Sequence, residues 1–281
     1  VLLYGGITMM KKIFEVQKPI IGMIHLKPLP GSPNYDKNKF DMNAIVKYAV
    51  EEAKILEQAG VNGLQIENYW DIPFVKGEEI GYETCAAMTA AACAVKNSVN
   101  IPIGINVHMN GGKAAMAIAC ASGAKWIRVF EFVSAYVSYT GLTEGIGGEL
   151  ARYRKMLDAK DIQLLCDVNV KHGSHFIVHD RTVNELAIDA QEQGADGIII
   201  TGFSTGIAPT KEKVIEAKNG IHLPIILGSG INKSNAAELL QASDGAIVGS
   251  SFKAEGKIDN IVDFQRTRDF MKEVEKIRQE G

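Results

Sequence analysis

The 281 residues predict a single-domain α/β fold, a (β/α)8 TIM barrel. Eight apolar runs of about strand length recur along the chain, each followed by a stretch with helical periodicity. Strands alternating with helices imply parallel βαβ units, and eight such units in about 250 residues close a barrel. Glycines punctuate the joins, as in Ala59-Gly60-Val61, Ser122-Gly123-Ala124 and Gln193-Gly194-Ala195. Helices commonly end on a glycine in the left-handed conformation.

The first strand is read at 19–26, followed by a Pro- and Gly-rich loop and a helix over 42–59. The second unit pairs 63–67 with an Ala-rich helix over 82–96, and the third pairs 102–108 with 113–121. The fourth strand, 126–130, is separated from its helix at 149–157 by a long loop, 134–147, that reads as a lid or a plain surface excursion. The fifth strand spans 163–171 with a helix over 183–193, and the sixth 197–201 with 211–218. The last two strands are 224–228 and 245–249, with helices over 235–241 and from Val262 onward. No linker or composition shift divides the chain, so 13–281 is assigned to one barrel domain. Residues 1–12 are read as an N-terminal extension, disordered or added ahead of a more natural start at Met9-Met10-Lys11-Lys12. A doubly wound open sheet has the same local pattern, but no G-x-G-x-x-G follows the first strand.

Lys and Arg number 30 against 33 Asp and Glu, a net charge of −3. That balance excludes a dedicated nucleic-acid binder, which needs a basic surplus. No apolar run approaches the roughly 20 residues of a membrane helix. Cys85, Cys93, Cys120 and Cys166 form no C-x-x-C pair and lie in small or apolar runs. They read as free thiols in a reducing, cytoplasmic setting, without structural zinc.

Side chains alternate faces along a strand. Leu64 and Ile66 oppose Gln65 and Glu67; Ile105 and Val107 oppose Asn106 and His108. Arg128 opposes Ile127 and Val129, and Asp167, Asn169 and Lys171 oppose Cys166, Val168 and Val170. With the apolar set toward the helices, the polar set lines the barrel and converges at its C-terminal mouth, where barrel enzymes place chemistry. Asp167, Lys171, Glu67, Arg128 and His25 are the candidate catalytic residues. Asn68, Asn106, His108, Asn169 and Thr201 are the candidate substrate contacts. A network in which Glu67 pairs with Arg128 and Asp167 with Lys171 is the alternative, but charge inside a barrel is costly unless used.

Two glycine-rich turns follow the seventh and eighth strands. Gly228, Ser229 and Gly230 form one, and Gly249, Ser250 and Ser251 the other. Glycine lets backbone amides approach an anion closely, and barrels often hold a substrate phosphate at these two loops. Lys253 is placed either against that anion or on the surface. The aromatic loop 68–74 is read as a pocket wall, and the Pro-rich loop 27–33 as a cover or a stiff surface loop. His172, His175 and His179 lack a fixed face on which to share a metal.

These segments resemble the BtpA/SgcQ family of TIM-barrel proteins. The resemblance is carried by 23–33 (Met-Ile-His-Leu-Lys-Pro-Leu-Pro-Gly-Ser-Pro), 67–74, 167–172, 201–206, 228–230 and 247–253. It implies a TIM barrel over nearly the whole chain. It also implies a link to photosystem I accumulation in a cyanobacterial member and to sugar-utilisation genes in others. It carries no catalytic residue set. The family pattern has Leu-Arg-Asn-Asp after Val107, where this chain has His108-Met109-Asn110-Gly111.

Three functions fit these residues. The first is an enzyme acting on a small phosphorylated metabolite, a sugar phosphate or nucleoside-like compound, by cofactor-free isomerase or lyase chemistry. Asp167 or Glu67 is then the general acid or base, and Lys171 steadies charge or forms a Schiff base. The second is a non-catalytic assembly factor. The third is a hydrolase holding a divalent metal on Glu67, His108 and Asp167, although His25 lacks the His-x-His of such barrels. The expected partner is a small phosphorylated molecule, with no nucleic acid or membrane span, and a homo-oligomer is compatible with the sequence.

Overall fold

The structure is a computed structural model and describes residue 10 and residues 13–280. Eight parallel strands close into a barrel in the order β1-β10-β9-β8-β7-β4-β3-β2. The first half runs β1 (Ile20–His25), α1 (Met42–Ala59), β2 (Gly63–Glu67), α2 (Tyr82–Ser98), β3 (Ile103–Asn106), α3 (Gly112–Ser122) and β4 (Trp126–Val129). A hairpin follows, β5 (Ala135–Ser138) and β6 (Gly141–Glu144), and then α4 (Gly147–Met156). The second half is β7 (Gln163–Val168), α5 (Val183–Glu192), β8 (Gly197–Ile200), α6 (Lys211–Lys218), β9 (Ile225–Leu227), α7 (Ala236–Ala242), β10 (Gly245–Val248) and α8 (Phe264–Glu280). Every barrel strand is thus followed by a helix, as the sequence pattern predicts.

Local chemistry sets these boundaries. The Asp41 side chain accepts from the Ala44 amide at 2.8 Å and starts α1. Gly60 ends it at φ 98°, in the left-handed region. Thr182 and Thr210 cap α5 and α6 in the same way as Asp41. The sequence-predicted fifth strand is too long. The backbone leaves the extended region at Asn169, which has φ 52°. The loop 134–147 is an ordered antiparallel hairpin whose Tyr136 is fully buried. Cys166 is buried, but Cys120 lies exposed on the outside of α3, so it does not act as a core hydrophobe.

The strand alternation sorts two cores. Leu64, Ile66, Ile105, Ile127, Cys166 and Val168 pack outward among the helices. Inside, the base of the barrel is filled by Ile21, Met23, Trp126, Leu165, Ile199, Ile226 and Ile247. Met10 and Phe14 join this inner cluster from below, with Phe14 5.3 Å from the Trp126 ring. Met10 is the described residue of the 1–12 extension; the others lie outside the described residues.

Trp126 decides the identity of one neighbour. Its indole donates to Gln65 Oε1 at 2.7 Å, which satisfies the indole N–H inside the barrel. A Cβ at Gly104 would stand 2.0 Å from the Trp126 indole nitrogen. Gly104→Ala therefore forces a fully buried ring from its place. The expected loss, read by thermal or urea unfolding, is about 1–3 kcal/mol; an unchanged melting point would contradict this packing.

Candidate active site

Strand register brings the mouth residues together. His25 pairs with Glu67, Glu67 with Asn106, and Asn106 with Arg128 across four adjacent strands. All four are buried. Asn106 donates to Glu67 Oε2 at 2.7 Å. His25 Nε2 lies 3.6 Å from Glu67 Oε1, and His108 Nε2 3.6 Å from Oε2. Burial, against the pull of Glu67, drives the His25 imidazole down to about 3, so it is neutral at ordinary pH. Burial also pushes Glu67 up, but the nearby His108, with His25 and Arg128, outweighs it and holds the carboxyl below its usual range.

Arg128 and Asp167 form a bidentate pair, Nε to Oδ2 at 2.7 Å and Nη2 to Oδ1 at 2.8 Å. Neither the Glu67–Arg128 nor the Asp167–Lys171 pairing of the alternative sequence reading forms. Both Asp167 oxygens are occupied, so Asp167 positions Arg128 rather than standing free as a base. The guanidinium also lies over the Phe130 ring at 5.2 Å. Lys171 sits at the edge of this group with its amide donating to Thr201 Oγ1 at 3.0 Å. Burial and the Arg128 charge lower its amine to about 8.

Two spaces open from this cluster. One is a chamber of about 340 Å³ walled by Phe74, Met109, Phe130, Tyr136, Tyr139 and Val170. The other is a recess of about 40 Å³ lined by Gly228, Ser229, Gly230, Gly249, Ser250 and the β8 loop at Thr205 and Gly206. Glu67, Tyr69, Arg128, Lys171 and Thr205 line both, so the two spaces adjoin at these residues. Gly230 has φ 74°, and a Cβ there would meet the Ala208 amide at 2.0 Å. That close approach explains its glycine.

Several candidates sit elsewhere. Asn169 accepts from Lys213 Nζ at 2.9 Å and does not line either space. Asn68 braces loops, accepting from the His108 amide at 2.8 Å and donating to Asp71 at 3.1 Å. Thr201 is fully buried beneath the mouth. Ser251 turns its hydroxyl to the Ile231 carbonyl at 2.7 Å. Lys253 is neither at the anion recess nor on the surface: it is 1% exposed and paired with Glu52 at 2.5 Å. The loop 27–33 anchors to loop 68–74 through the Leu29 amide on Asp71 at 2.8 Å. In loop 68–74, Tyr69, Ile72, Pro73 and Phe74 do wall the chamber.

The metal-ligand set considered from sequence does not assemble. Among the described residues no three His, Cys, Asp or Glu side chains form a metal-holding group, and Asp167 is turned into the Arg128 fork. His172 accepts from the Thr205 amide at 3.0 Å, His175 stacks on Tyr136, and His179 stacks on Phe176. At the departure from the family pattern, His108 and Met109 face the chamber. Asn110 ties the two ends of the hairpin, donating to the Glu131 and Glu144 carbonyls at 3.0 and 3.2 Å.

Glu131 is a buried acid that the strand pattern does not single out, since it follows the last alternating position. Its carboxylate accepts from the Ser134 amide and hydroxyl at 3.2 and 2.7 Å. Burial outweighs those bonds and, with Asp167 nearby, raises it to about 7. A raised carboxyl favours folding below the ordinary range, and that contribution is lost as pH rises through about 7. Stability of the wild type should therefore fall by at most about 3 kcal/mol between pH 4.5 and pH 8 from this group. Glu131→Gln should flatten the corresponding part of a denaturation-versus-pH curve; an identical slope in both proteins would contradict the assignment.

The comparisons agree with this architecture. The BtpA family profile matches residues 16–276. An uncharacterized protein of Archaeoglobus fulgidus is 41% identical over 87% of this chain and 95% of its own. The photosystem I biogenesis protein BtpA of Synechocystis is 38% identical over 92% of this chain and 88% of its own. Among solved structures, (S)-3-O-geranylgeranylglyceryl phosphate synthase of Thermoplasma acidophilum, in complex with sn-glycerol-1-phosphate, superposes with a TM-score of 0.62 at 17% identity. That match covers 96% of this chain and 98% of the synthase. N-acetylmannosamine-6-phosphate 2-epimerase of Clostridium perfringens superposes at 0.54 and 14% identity, covering 95% and 96%. The likeness to these two is one of fold. Among the described residues no helix is long and apolar enough to cross a membrane. With a family match over nearly the whole chain and relatives near 40% identity, this chain belongs to the BtpA family.

Proposed function

We propose that this chain is an enzyme acting on a small phosphorylated metabolite by acid–base chemistry of the isomerase or lyase kind. The observation that carries the reading is the direct opening of the glycine recess onto the cluster of Glu67, Arg128 and Lys171. Backbone amides at Gly230, Gly249 and Ser250 hold the phosphate, with Arg128 supplying positive charge. Lys171, lowered to about 8 by burial and by Arg128, is the base that takes a proton from carbon. His108, backed by Glu67, returns a proton on the opposite side. His25 and Asn106 hold the Glu67 oxygens, and Asp167 holds Arg128.

Structural neighbours that carry phosphate esters in their names, the synthase and the epimerase above, support this reading through their fold. An assembly role like that in the name of the Synechocystis relative is the second reading. It makes no use of the recess.

The test incubates the protein with a panel of phosphorylated metabolites in deuterated water and follows proton exchange and conversion by NMR and mass spectrometry. At least one compound should exchange or convert. Lys171→Met and Glu67→Gln should lower that rate by roughly 10²-fold or more while binding stays within a few-fold. The rate should rise with pH through about 8, as Lys171 loses its proton. Gly249→Asp, which puts a carboxylate into the recess, should abolish binding. Full activity in Lys171→Met, or a panel with neither binding nor turnover, would contradict the reading.

A further inference from the structure

The recess accommodates a phosphate, but the chamber beside it has no role in holding one. It is far larger, about 340 Å³ against about 40 Å³, and reaches the range of small-molecule sites. A bare sugar phosphate would present hydroxyls to this space. Polar partners line only one side of it, at Glu67, His108, Arg128, Lys171, His172 and Thr205; the rest of its wall is largely Pro73, Phe74, Phe130, Tyr136 and Val170. Hydroxyls buried there without partners would cost free energy.

The wall is not a uniform hydrocarbon slot either. Tyr136 is fully buried, and its hydroxyl has no hydrogen-bond partner among the described residues. The nearby Thr143 hydroxyl is engaged with Ser138 at 2.7 Å. Both ring nitrogens of His108 also lack a hydrogen-bond partner there. His108 is held flat against Phe74, with 4.4 Å between ring centroids and 18° between planes. Aromatic walls that also carry unpaired polar atoms suit a planar ring bearing its own donors and acceptors.

We infer that the ligand of this site is a phosphate monoester carrying a heteroaromatic ring, of the nucleoside 5′-monophosphate class. The ring lies in the chamber, the phosphate in the glycine recess, and the connecting sugar faces Glu67, Arg128 and Lys171. This rests on the recess being the phosphate site proposed above. An isoprenoid phosphate would suit the apolar wall but would leave Tyr136 and His108 unpaired.

The experiment is calorimetric titration of the full chain with the four common ribonucleoside 5′-monophosphates, ribose 5-phosphate, inorganic phosphate and geranyl monophosphate. Aromatic stacking of a base is worth roughly tenfold or more in affinity. At least one nucleotide should therefore bind that much more tightly than ribose 5-phosphate. Tyr139→Ala and Phe74→Ala should reduce that advantage severalfold and leave ribose 5-phosphate binding unchanged. Tyr139 is 65% exposed, so its variant keeps the fold even where Phe74→Ala does not. Equal affinity for ribose 5-phosphate and every nucleotide, or tighter binding of geranyl phosphate, would overturn the ring assignment and leave the phosphate reading standing. Absence of binding by all seven probes would overturn both.

Discussion

Inside the barrel, Arg128 and Asp167 sit almost wholly out of water, and the rest of the site is arranged around their fork. Removing such charges from solvent costs several kcal/mol per ion. Two short hydrogen bonds and the mutual attraction offset that cost only while both partners keep their place. The fork therefore fixes the guanidinium over Phe130 and brings its positive charge up to the two spaces of the mouth. Gly228 packs beside it: a Cβ there would meet Ile199 at 2.5 Å and Thr201 at 2.8 Å, with Arg128 Nη2 at 3.0 Å. The same pair occupies both Asp167 oxygens, so the proposed proton transfer is assigned to Glu67, His108 and Lys171.

The barrel interior is accordingly divided by height. Branched side chains and Trp126 close its base, and polar residues from four adjacent strands form the layer above. Above that layer, glycine turns make a narrow recess, and the β2, β3 and β4 loops make a wide aromatic chamber. A ligand that spans both must be small and charged at one end and broad and flat at the other. The proton-active groups lie where the two spaces meet, which is where a reacting bond between these ends would stand. The Glu52–Lys253 pair, outside this chain of contacts, serves the fold instead: Glu52 also accepts from Tyr48 and from the Val262 amide, tying α1 to the segment before α8.

The sequence disclosed what periodicity governs. Strand alternation separates Leu64 and Ile66 from Gln65 and Glu67, and the structure keeps that separation. The register of a parallel barrel then brings Glu67, Asn106 and Arg128 side by side without further information. Alternation misplaces Asn169, because the left-handed turn there breaks the two-residue repeat and sends its side chain to Lys213. It also cannot choose between partners, so the Arg128–Asp167 fork was not legible from residue types. The chamber is built largely from loops and from the hairpin, whose side chains follow no repeat. Phe130 could have been found by extending the Arg128 face one step. Tyr136 and Glu131 carry no such signal, because their burial depends on how the hairpin folds back over the mouth.

The most direct measurement is a crystal structure of the protein soaked with uridine 5′-monophosphate. The account predicts phosphorus density against Gly230, Gly249 and Ser250, with the pyrimidine ring between Phe74 and Tyr136 and the ribose toward Lys171. A phosphate bound outside the glycine recess, or density in the recess with the ring turned away from the chamber, would contradict it.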